Sequence, residues 1–409
     1  MAAPVLRVGV IGLGRAFALM VPTFAGDPRV RLVAAADPRP EACRRFEQDF
    51  GATAGDSAQR VCARPDIDVV YVASPHAFHA EHALLAAAHG KHLLVEKPMA
   101  TSLAQCRAMI DAAREAGVHL VVGHSHSFDA PILRARALIR QGALGRVRMI
   151  HSMNFTDFLY RLRRPEELDT ASGGGAVLNQ AAHQVDVVRL LAGGCVTGVR
   201  ALTGNWDAAR PTEGAYAALL TFEGGAFASL SYSGYAHFDS DALLGDIGEM
   251  GQRKDPAAYG AARRRLAAAV GAAGATAGAQ ALAELALKQQ LNYGGPGYSP
   301  ETGRRAAGEP PLAHQHFGHL VVCCEHGDLH PTPHGIWVYG DGERRFEALD
   351  PPAVPRVEVI DALHAAVFGG VAPLHDGRWA MATTAVCLAM LESARANRDV
   401  APALQVAAP

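Results

Sequence analysis

Val8-Gly9-Val10-Ile11-Gly12-Leu13-Gly14-Arg15-Ala16-Phe17 decides the fold. A short β-branched run breaks at two closely spaced glycines and passes directly into helix-forming sequence. Glycines at such a junction permit a tight turn and let backbone N–H groups approach a pyrophosphate at the positive end of the helix. The third glycine position of the motif holds Phe17, so the weight rests on context. A second apolar run, Val30 to Ala36, closes on Asp37 about 20 residues further on, where a carboxylate accepts hydrogen bonds from a ribose 2'-hydroxyl. The candidate cofactor residues here are Gly12, Leu13, Gly14, Arg15, Ala16 and Asp37. Asp37 repels a 2'-phosphate and Pro38 follows it, so NAD is expected over NADP, with nearby Arg39 keeping NADP open.

Outward from this point, apolar runs (Val69 to Ala73, His92 to Val95, His119 to Val122) alternate with helical stretches (Ala42 to Phe50, Glu81 to His89, Leu103 to Ala116). That alternation predicts βαβ units and a doubly wound parallel sheet, an α/β dinucleotide-binding Rossmann domain over residues 1–127. After Phe128 the texture changes. Strands are expected at Arg146 to Met153, Ala215 to Phe222, Ala226 to Tyr232 and Ile336 to Tyr339, and helices at Ile132 to Gln141 and Ala182 to Leu191. Strands gathered without regular alternation imply an α+β second domain, 128–409, with a largely antiparallel open sheet and C-terminal helices within 357–397. Residues 239–313 fit neither pattern. They read as an insertion, helical over about Pro256 to Val270 and Ala279 to Gln290, which is either a mobile surface elaboration, a lid or a subunit contact.

Composition narrows the function. Of 409 residues, 38 are basic and 40 acidic, so the broad positive field that nucleic-acid binding needs is absent. The basic residues include four lysines, Lys91, Lys97, Lys254 and Lys288, so a lysine at a site is informative. Seven scattered cysteines without C-x-x-C read as reduced thiols, and no signal peptide or membrane span is expected, which suggests a cytoplasmic protein.

Two further segments carry chemistry. Ala73-Ser74-Pro75-His76 and Val95-Glu96-Lys97-Pro98 each close an apparent strand, and ligands of open α/β sheets sit outside the carboxyl ends of strands. Lys97 falls where a nicotinamide is expected, and an ammonium near that cationic ring suits proton exchange with a substrate hydroxyl. In Gly173-Gly174-Gly175-Ala176-Val177-Leu178-Asn179-Gln180-Ala181-Ala182-His183-Gln184-Val185-Asp186, Asn179 and His183 are spaced to share a helix face, and Asp186 is placed to fix the imidazole tautomer. Taken alone, a histidine on such a helix is more often structural than catalytic. The pairs His76-x-x-His79, His314-x-His316 and His326-x3-His330 have zinc-compatible spacing, but no H-E-x-x-H or cysteine set accompanies them, so no metal is expected.

Together, Gly12-x-Gly14, Asp37, Ser74-Pro75, His79, Glu96-Lys97-Pro98, the Gly173 to Asp186 segment and Ser393-Ala394-Arg395 resemble the Gfo/Idh/MocA oxidoreductase family. The resemblance spans nearly the whole chain outside the insertion. It implies a Rossmann domain followed by an α/β domain whose open sheet forms oligomer contacts, a dimer or tetramer here. It also implies reversible hydride transfer between a nicotinamide cofactor and a secondary alcohol, with Lys97 and His183 at the reacting hydroxyl, and Ser74, Pro75, His76, His79 and Glu96 at the cofactor. Two positions depart from sugar and inositol dehydrogenases of the family, Asn179 in place of Asp and Ser127 in place of Arg. A plain sugar substrate is therefore disfavoured.

Asn154-Phe155-Thr156-Asp157-Phe158-Leu159-Tyr160-Arg161-Leu162-Arg163-Arg164 places three guanidiniums near aromatics, a pattern that holds carboxylates by bidentate hydrogen bonds. His124 and His126 add donors. These segments resemble the branch of the family that oxidises phthalate cis-dihydrodiols, which makes Asn154, Arg161, Arg163, Arg164, His124 and His126 the candidate substrate residues. The expectation is NAD-dependent oxidation of a small carboxylated dihydrodiol; the alternatives are a sugar or inositol dehydrogenase and a non-catalytic NAD-binding sensor or scaffold.

Overall fold

The computed structural model describes residues 3–272, 276–298 and 313–408. The chain folds as two units. The first comprises Met1–His124, Leu287–Pro310 and Val354–Met381 as far as they are described; the second comprises Ser125–Ala286, Pro311–Ala353 and Ala382–Pro409.

In the first unit, β1 (Leu6–Ile11), β2 (Val30–Ala36), β3 (Thr53–Gly55), β4 (Val69–Val72), β5 (His92–Val95) and β6 (Leu120–Val122) form one parallel sheet in the order β3-β2-β1-β4-β5-β6. The helices α1 (Arg15–Gly26), α2 (Pro40–Phe50), α3 (Ala58–Cys62), α4 (His79–Ala88) and α5 (Leu103–Glu115) connect the strands. All four residues of β4 are fully buried, which is why a strand of a doubly covered sheet reads as an unbroken apolar run. Strand order reverses between β1 and β4, which puts a ligand crevice at their carboxyl ends. Gly12 sits there with φ +96°, and a Cβ on it would lie 2.7 Å from the backbone of Ala73 and Ser74, so only glycine allows this approach.

The C-terminal helix α10 (Val357–Gly369) and the start of α11 (Gly377–Ala396) group with this first unit, whereas the sequence pattern assigns residues 357–397 to the second domain. The cause is local. Val122 N–H donates to the His375 carbonyl at 2.9 Å, Asp376 bridges Val121, and the Thr23 hydroxyl donates to the Pro355 carbonyl at 2.7 Å.

The second unit is built on α6 (Ala130–Arg140), α7 (Ala182–Ala192) and eight strands: β7 (Val147–Phe155), β8 (Val196–Gly204), β9 (Ala215–Phe222), β10 (Phe227–Ser233), β11 (His319–Cys324), β12 (Gly327–Thr332), β13 (Gly335–Tyr339) and β14 (Arg344–Ala348). Their order is β14-β13-β12-β11-β7-β10-β9-β8, antiparallel throughout except for the β7–β10 pair. Strand β9 alternates buried and exposed residues, the signature of a sheet covered on one face.

The region read as an insertion contains α8 (Ala261–Ala272) and α9 (Ala277–Leu291), close to the predicted helices; residues 273–275 and 299–312 lie outside the described residues. It is not a loose elaboration where described. Glu284 of α9 is buried against Arg210, accepting 2.8 and 3.0 Å hydrogen bonds, and Tyr293 is fully buried in the first unit. Among the described residues, no helix is long and apolar enough to cross a membrane.

Candidate active site

The N-terminus of α1 fits a dinucleotide. Gly14 precedes it, the first helical turn carries no acidic residue, and a Cβ on Gly14 would meet nothing within 4 Å, so no like charge on the helix itself opposes an anion at its positive end. Arg15 is exposed and Ala16 half-buried at the same end. Asp37 terminates β2 with its carboxylate buried. Its Oδ2 accepts the Leu13 N–H at 2.7 Å, which ties the glycine turn to β2. Leu13 itself is fully buried, so its contribution is through its backbone. Phe17, in place of a third glycine, turns into an aromatic cluster with Phe46 at 5.8 Å and Tyr293 at 5.0 Å between ring centroids.

At the ends of β4 and β5, His79 acts as a brace. Its Nε2 lies 2.9 Å from the Ser74 carbonyl and its Nδ1 3.0 Å from the Pro98 carbonyl, so one buried ring joins the two loops that carry Ser74-Pro75-His76 and Glu96-Lys97. Burial pushes its pKa below the ordinary 6.5, with the two carbonyls acting the other way. His76 packs edge-on against it at 5.4 Å. Glu96 is buried and accepts the Tyr71 hydroxyl at 2.6 Å. Burial raises its pKa despite that bond. His79, Glu96 and Leu13 therefore shape the crevice from behind, whereas Lys97 is half-buried at the strand end, as its place in the sequence predicts.

In the second unit the glycine run leads into a single π turn, Val177–Ala181, before α7 begins. Such wide turns re-aim side chains and are frequent at functional sites. Glu213 secures its start, accepting the Val177 N–H at 3.1 Å, while its own carbonyl accepts the Ala176 N–H at 2.8 Å. Asn179 sits in the π turn, which runs directly into α7 and so changes its spacing from His183, and its amide donates to the Gly175 carbonyl at 2.8 Å and the Gly173 carbonyl at 3.3 Å. Part of its side chain is thus committed to holding the glycine run.

His183 is buried in the first turn of α7, its ring centroid 4.7 Å from His126 and 4.8 Å from Phe317. Asp186 does not fix its tautomer as expected. The Asp186 carboxylate accepts the hydroxyls of Thr383, at 2.8 Å, and Ser127. Ser127, the residue that departs from the sugar-oxidising pattern, is thereby part of a buried hydroxyl–carboxylate pair. The ring beside His183 is that of His126, whose Nδ1 lies 2.7 Å from Asp129 and whose Nε2 lies 3.4 Å from Glu249. Burial opposes charge on His126, but Asp129 and Glu249 together outweigh it and its pKa is raised. Both ring nitrogens of His126 thus face carboxylates within the second unit.

The other substrate candidates are dispersed in role. His124 is buried, at the end of the first unit's N-terminal segment. Asn154 is buried on β7 and its Oδ1 accepts the Ser240 hydroxyl at 3.2 Å. Arg161 pairs with Asp157 at 3.1 Å, Arg163 folds over Phe158 with its guanidinium 3.7 Å from the ring centroid and donates to the Phe158 carbonyl, and Arg164 pairs with Glu166 at 3.0 Å. Each guanidinium thus has a partner within its own loop. Sequence reasoning missed Asp129, Glu213, Glu249 and Phe317. Of these, Asp129 was legible as the residue three past His126; the others come from distant segments.

Among the described residues, no group of three or more His, Cys, Asp or Glu is arranged to hold a metal ion.

A 3-2-1-4-5-6 parallel sheet with a glycine turn at the N-terminus of α1 and a carboxylate closing β2 defines a dinucleotide-binding protein. The chain belongs to the Gfo/Idh/MocA oxidoreductase family: residues 6–124 match its "Oxidoreductase family, NAD-binding Rossmann fold" model and residues 132–251 its C-terminal domain model. It is 49% identical over 394 residues, 95% of each chain, to the 1-carboxy-3-chloro-3,4-dihydroxycyclohexa-1,5-diene dehydrogenase of Comamonas testosteroni. A solved protein of Bordetella bronchiseptica is 40% identical with a TM-score of 0.87, over 97% of this chain and 100% of that one. Levoglucosan dehydrogenase in complex with NADH and levoglucosan shares the fold at 20% identity and a TM-score of 0.69, over 97% of this chain and 99% of that one.

Proposed function

We propose that this oxidoreductase is a cytoplasmic dehydrogenase that uses NAD to oxidise a carboxylated cis-dihydrodiol to the corresponding catechol, with phthalate 4,5-cis-dihydrodiol, giving 4,5-dihydroxyphthalate, as the dicarboxylate substrate. The single observation that carries this reading is 49% identity across 95% of both chains to an enzyme named for a carboxylated dihydroxycyclohexadiene. Asn179 in place of the aspartate of sugar-oxidising members agrees with it.

NAD, when bound, supplies the hydride acceptor. Gly12, Gly14 and the N-terminus of α1 would hold its pyrophosphate and Asp37 its ribose hydroxyls. In the chain's own chemistry, His183 takes the hydroxyl proton while the carbinol C–H bond breaks, and Lys97 orients that hydroxyl. The ketone so formed lies in a ring already holding two double bonds, and tautomerisation to the aromatic catechol draws the reaction forward. A second reading has one observation in its favour. The pairing of Arg161, Arg163 and Arg164 within their own loop suits a substrate with one carboxylate better than one with two.

The test is absorbance at 340 nm with purified protein, NAD, and phthalate 4,5-cis-dihydrodiol, a monocarboxylated cis-dihydrodiol, inositol and glucose in parallel. Turnover of either dihydrodiol with sugars inert supports the proposal, the pair ranking the two readings. Turnover of inositol or glucose alone overturns it.

A further inference from the structure

The segment following α9 reaches the cofactor end of the first unit. Tyr293 has no exposed surface; its ring stands edge-on to Phe17, 5.0 Å between centroids, and its hydroxyl donates to Asp49 at 2.8 Å. The next residue, Gly294, has φ +80°, and a Cβ there would fall 2.6 Å from the Ala42 Cα, so the two backbones touch and position 294 admits only glycine. Tyr298 covers Tyr293 at 5.1 Å and is itself covered by the Arg45 guanidinium. The backbone here is therefore fixed by packing on both sides.

Fixed with it is the Tyr293 carbonyl, which accepts from Arg39 Nη1 at 3.2 Å. The rest of that guanidinium is committed as well. Nε donates to Asp37 Oδ1 at 2.9 Å, Nη2 to the Leu13 carbonyl at 2.8 Å and to Asp37 Oδ2 at 3.3 Å. Arg39 is the cation beside Asp37 suited to receive a 2'-phosphate, and its donors point at Asp37, the glycine turn and Tyr293 instead. A planar guanidinium held in a bidentate pair cannot turn to a phosphate without breaking that set together.

We infer that Tyr293 is a cofactor-selecting residue: by clamping Arg39 onto Asp37 it keeps the carboxylate set for ribose hydroxyls and keeps the guanidinium from a 2'-phosphate, so that NAD is chosen over NADP. The segment that reads in sequence as a surface elaboration thus sets the specificity of the Rossmann unit. The inference rests on the NAD-binding fold alone and stands or falls independently of the alcohol substrate.

Equilibrium binding of NADH and NADPH to the full-length protein, read by nicotinamide fluorescence, tests it without turnover. Tyr293→Ala keeps the carbonyl but removes the aromatic anchor that holds it against Arg39, and is expected to narrow the NADH preference by up to about tenfold, the scale of one charge-assisted hydrogen bond. Arg39→Ala leaves Asp37 without its counter-charge and is expected to widen the preference. The two variants therefore move the ratio in opposite directions. Equal weakening of both cofactors in each variant, or a shift of the same sign, would show that Tyr293 only packs and would overturn the inference. Should Tyr293→Ala fail to fold, Gly294→Ala, whose Cβ would meet the Ala42 backbone and push the Tyr293 carbonyl off Arg39, is expected to narrow the ratio in the same way, and an unchanged or widened ratio there overturns the inference.

Discussion

His126 and His183 meet edge to face, their ring centroids 4.7 Å apart, and the ring nitrogens of His126 face Asp129 and Glu249. Burial opposes charge on His126, but Asp129 and Glu249 raise its pKa and so favour its charged form beside His183, and a neighbouring cation disfavours a second proton. The other charged groups around the pair are His316 with Asp241, and Arg161 on the side of Glu249. Replacing His126 with Asn removes the cation. The acidic limb of the kcat/KM profile then moves to higher pH, while NADH affinity stays put; an unmoved limb would leave His126 a packing residue.

His183 itself should be indispensable. General-base contributions are commonly about 10²–10⁴-fold in rate, so His183→Ala is expected to lower kcat on that scale with NADH binding preserved. Loss of cofactor binding in this variant would mean that His183 supports the fold rather than the chemistry.

His79 makes a prediction about stability. Burial lowers its folded pKa below the ordinary 6.5, so the unfolded chain takes up a proton that the folded chain refuses. Its contribution is present above pH 6.5 and is lost as pH falls, a full proton being worth about 1.4 kcal/mol per pH unit. His82, His92, His314, His316 and His319 shift the same way, and His126 the opposite way. Melting temperature should therefore decline from pH 6.5 to 5.5, and His79→Gln should make that decline shallower. An unchanged slope would remove His79 from the set.

The open face of the second sheet carries a prediction about assembly. Register puts Met149 beside Phe227, and Leu219 and Leu202 on the same face, all of them exposed. Polar neighbours such as Thr221, Ser229 and Arg200 lie between them, and we propose that this mixed face is covered by another copy of the chain. Light scattering should show a dimer or tetramer that Leu219→Asp shifts to a smaller species. A wild-type monomer would end the proposal.

The first unit was legible because fully buried parallel strands and their helices leave unbroken apolar runs and clear punctuation. Strands of the second unit were legible where alternation was clean, as in β9, and not elsewhere. Pro331 lies inside β12 and ordinarily argues against a central strand. It is accommodated because the β11 pairing stops at Leu329 while β13 continues. Strand β14, Arg344–Ala348, is a charged edge with no apolar pattern to find. At the site, the places of Lys97, His183, Asn179 and Asp37 in the fold were legible from motif position. The partners that tune them were not, because Glu249 and Phe317 reach His126 from far along the chain, and Tyr293 reaches Arg39 across 254 residues. Asp186, three residues from His183, looked like its partner by spacing and instead serves Ser127 and Thr383.

The most direct measurement is product analysis after NAD is supplied to the purified enzyme with a carboxylated cis-dihydrodiol. NADH and the matching catechol should appear in equal amounts, with His183→Ala yielding neither. Absence of both from the wild-type enzyme, alongside steady oxidation of inositol or glucose, would assign the chain to the sugar-oxidising members of its family.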